Sequence, residues 1–133
     1  MTAMNKTEII AELENMAVAR LFGGGPWLAD RETVDAIHQK LIQMGLVEVV
    51  CVEPETWQTS PLGKELDVDL FLVFMGLFNA GDVPIVLEHH HLIDESEADV
   101  IYARMSKDNA ESILVGYVKR AYFDYRKATK FLH

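Results

Sequence analysis

The sequence is poor in cysteine, in basic residues and in long apolar runs. Among its 133 residues there is one cysteine, Cys51, so an internal disulfide is excluded, which is typical of a reducing compartment such as the cytoplasm. No apolar stretch reaches the roughly 20 residues of a membrane span, and we expect no signal peptide. Only 12 basic residues accompany 21 acidic ones, for a net charge of −9. Such a chain repels the phosphates of nucleic acids unless its basic groups are segregated.

The chain does contain enough apolar material for one core. Half of its residues are hydrophobic, and a chain of this size buries roughly two-thirds of the surface of its unfolded form. We expect a single domain over residues 1–133, with a first part over 1–66 and a helical part over 67–133. The fold class indicated is mainly α with a small β component (α+β).

Apolar spacing and capping residues predict where the elements lie. Residues suited to cap a helix precede each helical pattern: Asn5, Asp30, Ser60, Asp82 and Asp94. A β-branched run, Val47–Val52, is predicted to pair with Trp57–Thr59 as a hairpin. The predicted helices are Lys6–Phe22, Arg31–Met44, about Leu66–Asn79, a short one after Asp82, Glu95–Ser106 and about Asn109–Phe131.

Residues 30–66 carry the most specific pattern in the chain. They read DRETVDAIHQKLIQMGLVEVVCVEPETWQTSPLGKEL: a helix that ends at Gly45, a hairpin, and a segment that restarts helix. This order resembles the second half of a winged helix-turn-helix domain. In that resemblance residues 34–41 are the third helix, Gly45–Val47 its stop and the first wing strand, and Trp57–Thr59 with Gly63 the second wing strand. In that family the third helix enters the major groove of DNA.

The resemblance implies a DNA-binding surface, but two departures favour another use of the fold. Residues 23–29 are too few for an ordinary second helix, and the third helix exposes Asp30, Glu32 and Asp35. Our first hypothesis is therefore a non-enzymatic regulatory or adaptor protein that binds another protein through this acidic helix and the hairpin. The alternative is a winged-helix transcriptional regulator. Its candidate contacts to DNA are Arg31, Gln39, Lys40, Gln43, Lys119, Arg126 and Lys130.

The last predicted helix separates an apolar stripe from a basic one. Five basic residues and one acidic residue lie between Ile113 and His133, a net +4 that leaves −13 for the rest of the chain. The basic stripe is either a surface for an acidic partner or a solvated face. Because a helix of about 23 residues spans roughly 35 Å, part of the apolar stripe is expected to pack on a second copy. The alternative is that Leu70, Phe74 and Phe78 cover it within the chain. The predicted homodimer residues are Leu114, Tyr117, Val118, Ala121, Tyr125, Ala128 and Leu132.

The run Glu88-His89-His90-His91 is typical of metal ligands. Glu88 and His91 have the Glu-x-x-His spacing that places two ligands on one face of a helix. A third hypothesis is accordingly a metal-binding protein that uses these two residues. The alternative is a polar cluster at a helix end. We predict no resident cofactor.

Other reactive side chains are expected to be structural. Cys51 lies in an acidic stretch, where a packed core position is favoured over a nucleophile. Trp27 and Trp57 either line a small-ligand pocket or fill the core and anchor the wing. No catalytic constellation is evident, so no enzymatic activity is predicted.

Overall fold

The computed structural model describes residues 4–52 and 55–130, and it is mainly helical. The elements in chain order are α1 (Lys6–Phe22), α2 (Arg31–Gln43), β1 (Val47–Val52), β2 (Glu55–Thr59), α3 (Pro61–Glu65), α4 (Val68–Phe74), a 3-10 turn (Ala80–Asp82), α5 (Val83–His89), α6 (Glu95–Met105) and α7 (Ala110–Lys130). Within the described residues, seven α-helices accompany one antiparallel hairpin, β1–β2, and α7 is the long final helix. The predicted fold class is confirmed.

Most helices begin at the caps that were predicted. At α1, Glu8 N donates to Asn5 Oδ1 at 2.8 Å and Asn5 N donates to Glu8 Oε1 at 3.3 Å, which forms a capping box. Asp30 and Asp94 cap α2 and α6, each accepting a backbone N–H at 2.8 Å. The prediction for Asp82 is wrong, because the 3-10 turn leads directly into α5 and the Asp82 side chain makes no capping bond.

Ser60 ties the hairpin to the end of α2. Its hydroxyl donates to Gly45 O at 2.6 Å and accepts from Gly63 N at 3.0 Å. Its own N–H donates to Leu46 O at 3.0 Å. Gly63 lies so close to this turn that a Cβ would stand 2.2 Å from Leu46 O. Backbone contacts therefore fix the hairpin against the α2–β1 turn.

The predicted helix over Leu66–Asn79 is wrong at both ends. Asp67 takes a left-handed conformation, φ 55°, which separates α3 from α4. At the other end α4 stops at Phe74, and Gly76 is left-handed with φ 77°. The left-handed Gly76 ends the helix, and a Cβ there would lie 2.1 Å from Trp27 O, so the close approach of the Trp27 backbone also requires glycine.

Residues 23–29 are held against the end of α4 by hydrogen bonds. The Trp27 indole is buried, and its Nε1 donates to Phe74 O at 2.9 Å. Arg20 donates from Nε to Met75 O at 3.0 Å and from Nη2 to Trp27 O at 2.5 Å. Ala29 N donates to Gly76 O at 2.9 Å. This segment is thus a loop docked on the end of α4.

Both predicted parts of the chain contribute to one cluster of buried side chains. Its largest fully buried members include Leu13, Leu41, Phe71, Phe74 and Tyr122. In residues 4–52 and 55–130, no helix is long and apolar enough to cross a membrane.

The expected core position of Cys51 is wrong. Cys51 is exposed on β1, next to the exposed side chain of Val50. The strand has a register irregularity between Val49 and Cys51 in its pairing with β2, and Val49 is itself exposed. Among the described residues the sheet has two strands, which leaves this part of β1 uncovered.

Candidate functional site

Helix α2 presents the residues that the winged-helix resemblance assigns to DNA. All four are exposed: Arg31, Gln39, Lys40 and Gln43. Arg31 Nε lies 3.3 Å from Asp35 Oδ1 in an i,i+4 ion pair, and Lys40 pairs with Glu12 of α1. Because each cation has a carboxylate of the same chain beside it, α2 offers little positive potential to a phosphate.

The basic side of α7 is partly engaged within the chain. The Lys119 ammonium lies over the Phe22 ring, 5.2 Å from its centroid. Arg120 pairs with Glu97 of α6. Arg126 is exposed, whereas the side chain of Lys130 lies outside the described residues. The main packing partner of α2 is β1, and α7 packs mainly on α4 and α6. The candidate DNA contacts on α2 and those on α7 therefore lie on helices that do not pack mainly against each other.

Much of the predicted dimer stripe is covered by the chain itself. Leu114, Val118 and Ala121 are fully buried in the core, so an interface with a second copy cannot be built on them. Tyr125 is half-buried, with its ring 5.6 Å from Phe71 and 5.9 Å from Phe74. The alternative prediction, that the chain itself covers the stripe, accounts for Leu114, Val118, Ala121 and Tyr125. Phe74 is one of the three residues that this alternative named.

The remaining three positions of that stripe differ in their surroundings. Tyr117 is half-buried between α6 and α7, where Arg104 Nη1 donates to its hydroxyl at 2.8 Å. Ala128 is exposed. Leu132 lies outside the described residues.

A different apolar surface is exposed where α1 and α7 meet. The Phe22 and Phe123 ring centroids are 5.7 Å apart, and these side chains are 44% and 52% exposed. Val18, one turn before Phe22 on the same face of α1, is 39% exposed. Lys119, one turn before Phe123, covers the Phe22 ring. We call these four residues, Val18, Phe22, Lys119 and Phe123, the α1–α7 patch.

The α1–α7 patch continues along α1 into a shallow groove of about 400 Å³. The residues of α1 that line it are Thr7, Ile10, Ala11 and Glu14. Ile10, Glu14, Val18 and Phe22 follow one another at i,i+4 spacing, so the groove adjoins the patch along a row that turns gradually around the helix.

The patch was not predicted from the sequence. Ala17 and Leu21 belong to the buried side of α1. Val18 and Phe22 follow them by one residue, which rotates them about 100° away from the core. An i,i+4 apolar pair outside the buried stripe is the signal that would have found the patch.

The Glu88–His91 hypothesis fails on helix geometry. Helix α5 ends at His89, and His91 has a left-handed backbone with φ 61°, so the two residues do not share a helix face. Both are exposed. His90 instead turns towards α4, where its Nε2 lies 2.9 Å from Asp69 Oδ2. In the described part of the chain, the group with ligand atoms close enough for one metal ion is Asp67, Asp69 and His90.

The two tryptophans have different environments. Trp27 is a core residue, in agreement with the packing alternative. Trp57 is half-buried and stacks on His38 with a centroid distance of 4.8 Å. The pair borders a cavity of about 230 Å³ whose apolar walls include Leu72, Leu77 and Phe78. Trp57 thus anchors the hairpin and also lines a small open cavity.

Burial and capping shift the pKa of several groups. The Thr33 backbone N–H bonded to Asp30 lowers the pKa of that carboxyl group. Burial raises the pKa of Tyr122, and it raises the pKa of Tyr125 to about 12. Both tyrosines pack against Phe74, and Tyr125 also packs against Phe71, so burial in the core is the largest cause of both shifts.

Comparisons with known protein families, with curated proteins and with solved structures find no match to this chain. The resemblance of residues 30–66 to a winged helix stays a prediction.

Proposed function

We propose that this chain is a non-enzymatic regulatory or adaptor protein that acts through protein–protein contacts as a homodimer. The observation that carries the proposal is the exposure of Val18, Phe22 and Phe123 in one patch. Single exposed apolar residues are ordinary on a protein surface, but a contiguous group rimmed by polar residues is typical of an interaction site. A cytoplasmic location is part of the proposal, supported by the single cysteine.

The charges beside the α1–α7 patch favour a second copy of the chain as the molecule that binds there. The face of α1 beside the patch carries Glu14, and α7 carries Lys119, Arg126 and Lys127. In a two-fold interface each contact occurs twice, so a surface with acidic groups on one helix and basic groups on the other is complementary to itself. A stable interface buries roughly 800 Å² on each partner, so the patch would form its apolar centre and the charged flanks its rim.

The contact with the regulated protein is proposed for α2 and the hairpin. Here Asp35 is exposed on α2, and Val49 and Val50 are exposed on β1. Exposed apolar side chains on β1 and an exposed acidic side chain on α2 fit a partner surface that is both basic and apolar. The proposed winged-helix-like part would then serve as a scaffold for this surface.

The homodimer is tested by two matched substitutions and light scattering. Phe123→Asp places a charge in the centre of the patch, and the expected result is a monomer. Val100→Asp changes an equally exposed residue of α6, 50% against 52%, and should leave the dimer intact. Circular dichroism verifies that both variants fold. A dimer that survives Phe123→Asp, or an equal loss with Val100→Asp, contradicts the proposed interface.

The partner surface is tested by comparing captured proteins between variants. Immobilised wild-type chain and Val100→Asp should retain the same protein from an extract of the source cells. Val50→Lys, which places a basic charge on the proposed surface, should lose it. If no captured protein depends on Val50, the adaptor surface is placed wrongly.

A DNA-binding regulator remains the second candidate, and one observation favours it. The segment from Ile113 to His133 carries a net +4 in a chain of −9, and Arg126 and Lys127 are exposed. Fluorescence anisotropy with random-sequence duplex DNA and a salt titration tests it. A regulator would show affinity that falls steeply with salt, and Lys119→Gln or Arg126→Gln would each reduce the slope by about 1. No binding at low salt would eliminate this candidate.

A further inference from the structure

Two side chains at the start of α4 meet a third from the end of α5, about 20 residues further along the chain. Asp67 stands at the α3–α4 junction, Asp69 lies in the first turn of α4, and His90 follows α5. One ligand atom from each lies within 4.8 Å of the other two. A cavity of about 320 Å³ opens beside them, with Thr59 and Lys64 also on its wall.

The spacing suits a single divalent ion after small side-chain rotations. Two ligands of one tetrahedral zinc, each at about 2.0–2.1 Å from the ion, stand roughly 3.3 Å apart. His90 Nε2 and Asp69 Oδ2 are 2.9 Å apart, which is close to that distance between two zinc ligands. Asp67 precedes α4 but its carboxylate does not cap the helix, so it is not committed to the backbone there.

The donor set selects the class of metal. Magnesium and calcium prefer oxygen ligands alone, whereas an imidazole nitrogen suits zinc and its neighbours in the first transition row. Three protein ligands leave a fourth position for water, as in zinc sites that are not closed. His90 is half-buried, which fixes its ring, and the two carboxylates provide the negative charge that a dication needs.

We propose that Asp67, Asp69 and His90 form a zinc-binding site. This inference does not depend on the homodimer, because the three residues belong to one chain and lie outside the α1–α7 patch. Without metal, His90 is hydrogen-bonded to Asp69. Lys64 lines the same cavity, and because its positive charge disfavours a dication there, Lys64→Gln should tighten zinc binding.

Isothermal titration of the full, untagged chain with zinc chloride tests the site, with cobalt absorption as a second readout. The expected result is one zinc per chain. His90→Ala and Asp67→Asn should each weaken binding by at least about tenfold. Asp67 is exposed, so Asp67→Asn keeps the test valid if His90→Ala fails to fold.

The matched controls are His91→Ala and Glu88→Gln, which alter the neighbouring His cluster and leave the three ligands in place. Both should bind zinc as the wild type does. An equal loss in His91→Ala and His90→Ala would show adventitious binding by adjacent histidines and overturn the proposal. Absence of stoichiometric zinc in the wild type would also overturn it.

Discussion

The Trp27 indole donates a 2.9 Å hydrogen bond to the carbonyl of Phe74, 47 residues further along the chain. This bond joins the loop after α1 to the last residue of α4. Arg20 reinforces the same junction through Met75 O and Trp27 O. These bonds hold the docked loop against the end of α4.

Substitution of Trp27 by Phe should destabilise the protein through this bond. The Phe ring keeps most of the packing but leaves the Phe74 carbonyl without its buried donor, which costs about 1–3 kcal/mol. Urea denaturation measures the free energy of unfolding. Trp57→Phe is the control, because Trp57 is only half-buried and should cost less. A larger loss at Trp57 would contradict the role assigned to Trp27.

Two glycine-to-alanine substitutions should act in opposite directions. Gly76→Ala requires a left-handed alanine whose Cβ would meet Trp27 O at 2.1 Å, so we expect a loss of at least about 2 kcal/mol. Gly116→Ala lies in exposed helix with open space around it and should gain roughly 0.5–1 kcal/mol. Thermal unfolding of both variants measures the contrast. Equal effects would mean that the Gly76–Trp27 contact does not constrain the fold.

Alkaline pH should destabilise the core through Tyr125. Burial raises its pKa from 10.0 to about 12, so folding favours the neutral phenol. The associated stability is fully present below pH 10 and is lost as the pH rises towards 12. We expect the free energy of unfolding of the wild type to fall over this range.

Tyr125→Phe is the control for this effect. The variant has no phenol to ionise at position 125, so its unfolding free energy should fall less between pH 10 and pH 12. Absorbance at the phenolate band should also lose the step near pH 12. A pH profile identical to that of the wild type would show that Tyr125 does not carry the effect.

The sequence predicts what is decided locally and misses what tertiary contact decides. Asn5, Asp30 and Asp94 cap helices because each bonds to a backbone N–H three residues on, which spacing alone reveals. Gly76 ends α4 in a left-handed conformation, which is a local signal, but the approach of the Trp27 backbone to Gly76 depends on tertiary contact.

The candidate sites show the same difference between what local sequence patterns predict and what tertiary contacts decide. The run of histidines predicts a metal hypothesis, but only the fold shows that His90 faces Asp69 while His91 turns away. The long apolar stripe of α7 is visible in the sequence, yet Leu114 and Val118 are covered by the same chain. The exposed pair Phe22 and Phe123 joins two helices that are far apart in sequence, so neither residue signals the patch alone.

Sedimentation equilibrium of the wild-type chain, over a range of concentrations and at low and high salt, tests the proposed homodimer. We expect a mass of twice 15.0 kDa that persists at high salt, because the centre of the interface is apolar. A mass of 15.0 kDa at every concentration would contradict the homodimer and the function proposed for the α1–α7 patch.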